Sequence, residues 1–256
     1  MRRTWCVPVA AFAIVGGSLL ATAGASAATN PAHSVVQPGG LAQHLVTPFG
    51  PAGKTNATSS NWSGYAVHSG TYKSVSASWT EPAGTCSKGS GYASFWVGLD
   101  GYNSNSVEQT GTDTDCQSGS PQYYGWYEMY PAGSVNISKP MSPGDKISAS
   151  VVFTGGSAYT LTLKDTTQGW SAVEHKTLAS AKRSSAEIII EAPSSETGEL
   201  PLSDFGTVHF TASKVNGAAI GTLKPTEITM VDGGKPLDKI TALTGGTAFS
   251  GTWLAR

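Results

Sequence analysis

Three stretches of this 256-residue chain set acids and amides among aromatic and β-branched residues at spacings that suit chemistry. The first is Trp96-Val97-Gly98-Leu99-Asp100-Gly101, followed by Glu108-Gln109-Thr110-Gly111. The second is Trp126-Tyr127-Glu128-Met129-Tyr130-Pro131, in which alternation puts Trp126, Glu128 and Tyr130 on one strand face. In the third, Ala186-Glu187-Ile188-Ile189-Ile190-Glu191, Glu187 and Glu191 share a face while Ile188 and Ile190 take the other. Carboxylates inside an apolar strand are costly to bury unless paired or wetted, so the Glu face is expected to line a groove. There a carboxylate can take a proton from water and return it to a leaving group. An amide cannot move protons, but it can donate a hydrogen bond to an oxyanion.

Other chemistries lack their residues. The chain has no Gly-x-Ser-x-Gly, no His-Glu-x-x-His and no Asp-Thr-Gly or Asp-Ser-Gly. From residue 58 onward the histidines are His68, His175 and His209, so a zinc site or a Ser–His–Asp triad would need long-range assembly. No metal and no cofactor is expected. Charged residues are 13% of the chain and the net charge is −1, which gives no basic stripe for a nucleic-acid backbone.

The elements that must position these groups read as strands. Short β-branched and aromatic runs separated by Gly, Ser, Pro and Asp recur at Val75–Trp79, Ser94–Leu99, Tyr123–Tyr130, Lys146–Phe153, Tyr159–Lys164, Ala186–Glu191, Val208–Ala212, Glu227–Val231 and Thr247–Trp253. In Tyr159–Lys164 strict alternation puts Tyr159, Leu161 and Leu163 on one face. No window carries a three-turn amphipathic helix. The expected class is all-β, an antiparallel sandwich or barrel.

The N-terminus reads as an address. Arg2-Arg3, an apolar run from Val7 to about Leu20 and Ala25-Ser26-Ala27 form a secretory signal over residues 1–27. The protein is expected to be extracellular, without a membrane anchor once the signal is removed. Residues 28–57, rich in Ala, Pro, Gly and Thr, read as a propeptide or linker, and 58–256 as one catalytic domain. All seventeen acids lie between Glu81 and Asp238, so that domain is mildly acidic. Cys86 and Cys116, an even pair in an exported chain, read as a disulfide; a metal pair or a reactive thiol would need a nearby His cluster. Asn56, Asn61 and Asn136 each open an Asn-x-Ser/Thr triplet of the glycosylation type.

Five motifs in order, Ser60-Asn61-Trp62-Ser63-Gly64, Trp96–Gly101, Gln109-Thr110-Gly111, Trp126–Pro131 and Ala186–Glu191, together resemble the glutamic peptidases (eqolisins, peptidase family G1, here in a bacterial form). The resemblance covers nearly the whole chain from Asn61. It implies a lectin-like sandwich of two large curved antiparallel sheets, with protein or peptide substrates bound across the concave face. It also implies a secreted acid endopeptidase that uses no metal and forms no covalent intermediate. Gln109 and Glu191 take the catalytic positions. Trp62, Trp96, Asp100, Trp126, Glu128, Tyr130 and Glu187 are expected to line or support the groove. Tyr124 and Ala192 stand where fungal members carry acidic residues. Two other classes use the same face: a glycoside hydrolase with Glu128 and Glu191 as its carboxylate pair, and a non-catalytic lectin-like module. A monomer is expected.

Overall fold

The computed structural model describes residues 56–195 and 198–255. The expected signal over 1–27 and the segment 28–55 lie outside the described residues. Strands of three or more residues, numbered in chain order, begin with β1 (Asn56–Ser59), β2 (Trp62–Val67), β3 (Ser74–Thr80), β4 (Ser94–Leu99), β5 (Val107–Gln117) and β6 (Ser120–Tyr130). There follow β7 (Val135–Ile137), β8 (Lys146–Gly155), β9 (Ala158–Asp165), β10 (Trp170–Thr177) and β11 (Ala186–Glu191). The last four are β12 (Thr207–Val215), β13 (Thr226–Asp232), β14 (Asp238–Ile240) and β15 (Phe249–Trp253). Helical structure among the described residues is confined to two 3₁₀ turns, Cys86–Lys88 and Ile220–Leu223.

The strands form two large sheets. One runs β1-β13-β2-β11-β4-β5-β6-β7 and the other β10-β9-β8-β3-β12-β15-β14. The ladders are antiparallel except β1 on β13, which is parallel, so residues 56 and 57 belong to the first sheet. Between the sheets lies one continuous core. Phe95, Val97, Leu99, Ile188 and Ile190 of the first sheet meet Val75, Trp79, Ile147, Val151, Tyr159, Leu161, Leu163 and Phe210 of the second. Each fully buried Leu, Ile or Phe contributes about 1.5–3 kcal/mol. Tyr159, Leu161 and Leu163 do share the buried face, as their alternation requires. Cys86 and Cys116 form a disulfide across a separation of 30 residues.

Every strand expected from the sequence is present, with the last starting two residues later, at Phe249. Six further strands appear: the short β1, β7 and β14, and β2, β5 and β10, which carry no apolar alternation. β5 is central and buried on both sides, yet reads Val-Glu-Gln-Thr-Gly-Thr-Asp-Thr-Asp-Cys-Gln. Its inward side chains include three threonines satisfied locally, of which Thr112 accepts from Trp79 Nε1 at 3.0 Å and Thr114 donates to Glu81 at 2.7 Å. The other face of β5 belongs to the site.

Candidate active site

The first sheet buries a second, smaller cluster on the face turned away from the sandwich core: Trp62, Ala66, Trp96, Val107, Trp126, Ile189 and Ile228, with Tyr102, Tyr124 and Tyr130 packed against it. Period-2 alternation from these residues puts Glu187, Glu191, Gln109, Asp113, Asp115 and Glu128 on the same outer face. Register then sorts them into rows that cross the strands. One row is Trp62–Glu191–Ser94–Asp113–Tyr124. The next is Gly64–Ile189–Trp96–Gly111–Trp126–Asn136. A third is Ala66–Glu187–Gly98–Gln109–Glu128.

Two motif glycines are explained by close approach. A Cβ on Gly64 would fall 2.3 Å from the carbonyl oxygen of Ile188, and one on Gly111 would fall 2.2 Å from that of Phe95. Gly111 thereby leaves room between Trp96 and Trp126 in the middle row.

Glu191 has no accessible surface. Its Oε2 accepts from the indole Nε1 of Trp96 at 2.8 Å, and its Oε1 from the side-chain amide of Asn61 at 3.4 Å. Asn61 is fixed in turn, accepting from Ser59 Oγ at 3.1 Å and bonding the backbone N–H of Ala192 through its carbonyl at 2.9 Å. Trp96 is braced edge-on by Trp62, with ring centroids 4.8 Å apart. The carboxylate is therefore held in place by neutral donors.

Gln109 is equally buried. Its Nε2 donates to Glu128 Oε2 at 2.5 Å, while its Oε1 has no hydrogen-bond partner among the described residues. An amide facing a carboxylate must present its NH₂, so Glu128 settles which way Gln109 points. One N–H and the carbonyl oxygen of Gln109 remain available to a ligand.

The structure thus brings Gln109, Glu128, Glu187, Glu191, Trp62, Trp96, Trp126 and Tyr130 onto one face. It does not hydrogen-bond Gln109 to Glu191: they lie two strands apart and four residues apart along β4, on either side of Trp96. Glu128 is one strand further away. Glu187 has neither carboxylate oxygen hydrogen-bonded among the described residues, and burial pushes its carboxyl well above the usual range, helped by Asp100 and Glu108. Asp100 has a different post. Its carboxylate accepts from the backbone N–H groups of Lys182, Arg183 and Ser184 at 2.7, 2.7 and 2.8 Å, which anchors the loop that leads into β11.

The sequence reading passed over Asp113 and Asp115, although counting by twos from Gln109 reaches both acids, and it noted Tyr124 only as a departure from the fungal pattern. Asp113 Oδ1 accepts from Trp126 Nε1 at 2.6 Å, and Tyr124 donates to Asp115 Oδ2 at 2.7 Å. Burial, with a further push from Glu191, raises the Asp113 carboxyl to about 6. The three histidines sit elsewhere: His68 stacks on Tyr102, His175 pairs with Thr160 and His209 with Ser250. Among the described residues no three His, Cys, Asp or Glu side chains converge as a metal-ligand set.

A family model, the Peptidase A4 family, matches residues 60–252. Among solved structures, scytalido-glutamic peptidase with a transition state analog inhibitor superposes with a TM-score of 0.67 at 26% identity, covering 76% of this chain and 98% of that one. SCP-B, an eqolisin family member in complex with the tripeptide Ala-Ile-His, gives a TM-score of 0.63 at 26% identity over 76% of this chain and 98% of its own. Aspergilloglutamic peptidase from Aspergillus niger gives 0.58 at 28% identity, covering 64% and 99% respectively. No curated protein sequence matches. The match over most of the chain, and the two-sheet sandwich shared with these enzymes, replace the carbohydrate-directed alternatives. The chain belongs to the Peptidase A4 family and is a glutamic endopeptidase of the eqolisin type.

Proposed function

We propose that the protein is a secreted acid endopeptidase in which Glu191 activates water and Gln109 stabilises the oxyanion, with peptide lying across the Trp96 indole. The observation that carries this reading is the division of labour in the hydrogen bonds. Glu191 accepts hydrogen bonds from Trp96 and Asn61, which aim its carboxylate. Gln109 is pinned by Glu128 with its carbonyl oxygen open.

In the first step the Glu191 carboxylate takes a proton from water held by the Gln109 carbonyl, and the water oxygen bonds to the scissile carbonyl carbon. The electron pair of the C=O moves to oxygen, where the Gln109 N–H receives it. One preorganised donor of this kind is worth about 3–4 kcal/mol of barrier. In the second step the Glu191 carboxylic acid protonates the amide nitrogen, the C–N bond breaks, and Glu191 returns to its starting charge. Peptide substrates are supported by the tripeptide and the transition state analog held by the neighbouring enzymes.

Gln109, Glu128 and Glu191 have no accessible surface in the full-length chain. Removal of the propeptide or linker segment ahead of the domain, during or after export, is proposed to precede activity. Since β1 starts at Asn56, trimming belongs ahead of that residue. The active form is proposed to be a monomer. The test is digestion of a denatured protein between pH 3 and 6 by the trimmed protein and its Glu191→Gln variant. Peptide release that survives chelators and serine-directed inhibitors and is lost in the variant is the expected result. Equal release by both would overturn the assignment.

A further inference from the structure

On the outer face Glu187 and Gln109 stand in one row, with Gly98 between them on β4. With strands about 4.8 Å apart, their backbones are roughly 10 Å apart, and both side chains rise from the same face. Gly98 puts no side chain into that gap. A Cβ there would fall 2.8 Å from Cζ3 of Trp96 and 3.2 Å from Cβ of Gln109. The carbocyclic edge of the Trp96 ring therefore lies against Gly98, while its N–H reaches Glu191 on the opposite side. A peptide laid across the indole has Glu191 at one edge of the ring and Glu187 with Gln109 at the other.

Both members of the row carry unclaimed atoms. The two carboxyl oxygens of Glu187 and the Oε1 of Gln109 have no hydrogen-bond partner among the described residues, and both residues have no accessible surface. A buried carboxyl that accepts no hydrogen bond is costly to ionise, so it keeps its proton and can donate its O–H. Asp100 and Glu108 push Glu187 the same way. Ser185 and the Tyr102 N–H temper the effect, but that N–H donates to Ser185 Oγ at 3.3 Å rather than to the carboxyl.

We propose that Glu187 is a further catalytic residue, a second oxyanion donor whose O–H joins the Gln109 N–H on the scissile carbonyl oxygen. The inference rests on Glu191 being the general base. As the water oxygen bonds to the carbonyl carbon, the C=O electron pair moves onto an oxygen flanked by the two donors. Glu187 keeps its proton throughout and ends the cycle as it began. Water then lies on the Glu191 side of the indole and the carbonyl oxygen on the far side.

The test compares kcat and KM at pH 4.5 for the secreted protein and its Glu187→Ala and Glu187→Gln variants, with circular dichroism to confirm folding. Alanine removes the donor, whereas glutamine fills the same volume and offers an N–H. In Glu187→Ala kcat is expected to fall about 100-fold or more with KM little changed, and Glu187→Gln is expected to recover about tenfold or more of that loss. A folded Glu187→Ala with wild-type kcat overturns the proposal. Equal loss in both folded variants also overturns it, being the pattern of a carboxylate base rather than a donor. Carbon-13 titration of the glutamate carboxyls in the wild-type protein needs neither turnover nor a variant: Glu187 is expected to stay neutral through pH 6, and a Glu187 ionised at pH 5 overturns the proposal. Failure of wild type to release peptide at any pH, with Glu187 neutral, counts against the Glu191 assignment instead and so separates the two.

Discussion

Glu128 and Gln109 face each other across the β5–β6 ladder, and the 2.5 Å bond between them leaves the Gln109 carbonyl oxygen unclaimed. On the proposed mechanism Glu128 acts on the reaction through the orientation of an amide that cannot itself titrate. Glu128→Gln offers both a donor and an acceptor, so it permits the flipped amide. The expected outcome is a fall in kcat of about 10- to 100-fold with the fold intact, in line with losing a donor worth a few kcal/mol. Steady-state kinetics alongside circular dichroism would check it; an unchanged kcat would remove Glu128 from the machinery.

Trp96 is both wall and donor. Trp96→Phe keeps an aromatic surface against Trp62 but deletes the indole N–H that holds Glu191. A hydrogen bond to a charged group is worth about 1.5–3 kcal/mol. A loss of kcat of about tenfold or more, with a smaller change in KM, is expected. If KM rises and kcat holds, the indole is a binding surface only.

Asp100 gathers three backbone N–H groups of the 182–184 loop. Asp100→Ala strands those donors at the start of the strand that bears both Glu187 and Glu191. Destabilisation of about 2–4 kcal/mol is expected, with faster amide exchange at residues 182–184 than in Asp100→Asn. Thermal unfolding and hydrogen exchange would read both effects.

Buried acids make the stability of this protein depend on pH in an unusual direction. Burial raises Asp113 to about 6, Asp238 to about 7, Glu81 to about 8 and Glu108 to about 9. Their unfolded values lie near 4, so between about pH 4 and 9 the folded chain binds more protons than the unfolded one. Stability is then fullest at and below about pH 4 with respect to these groups and declines as pH rises through each folded value. A melting temperature lower by about 10 °C at pH 8 than at pH 4.5 is expected, and Glu108→Gln should flatten that dependence. Scanning calorimetry across the range decides; a melting temperature that rises toward neutrality would contradict it.

Much of the sandwich was legible because its core strands alternate. Ile188 and Ile190 point inward and Glu187 and Glu191 outward, as the spacing of Ala186–Glu191 requires. β5 was not legible as a strand, and for a physical reason. It is buried on both sides by polar side chains, threonines bonded to Trp79 and Glu81 inward, and Gln109, Asp113 and Asp115 outward. A hydrophobic pattern cannot report a strand that buries polar side chains on both faces, and two of its acids were missed with it. Asp100 shows the opposite error of emphasis. Its place in a motif suggested the groove, whereas only the fold could show three N–H groups converging on it.

Of the three Asn-x-Ser/Thr triplets, the one at Asn61 is folded out of reach: Asn61 is buried and its amide holds Glu191. A sugar chain attached there during export, before the sandwich closes, could not be accommodated beneath the β2–β11 ladder. Expression hosts that glycosylate secreted chains would divide the product into molecules that fold and molecules that never do. A bacterial exporting host, which leaves Asn61 bare, is the better source of active enzyme.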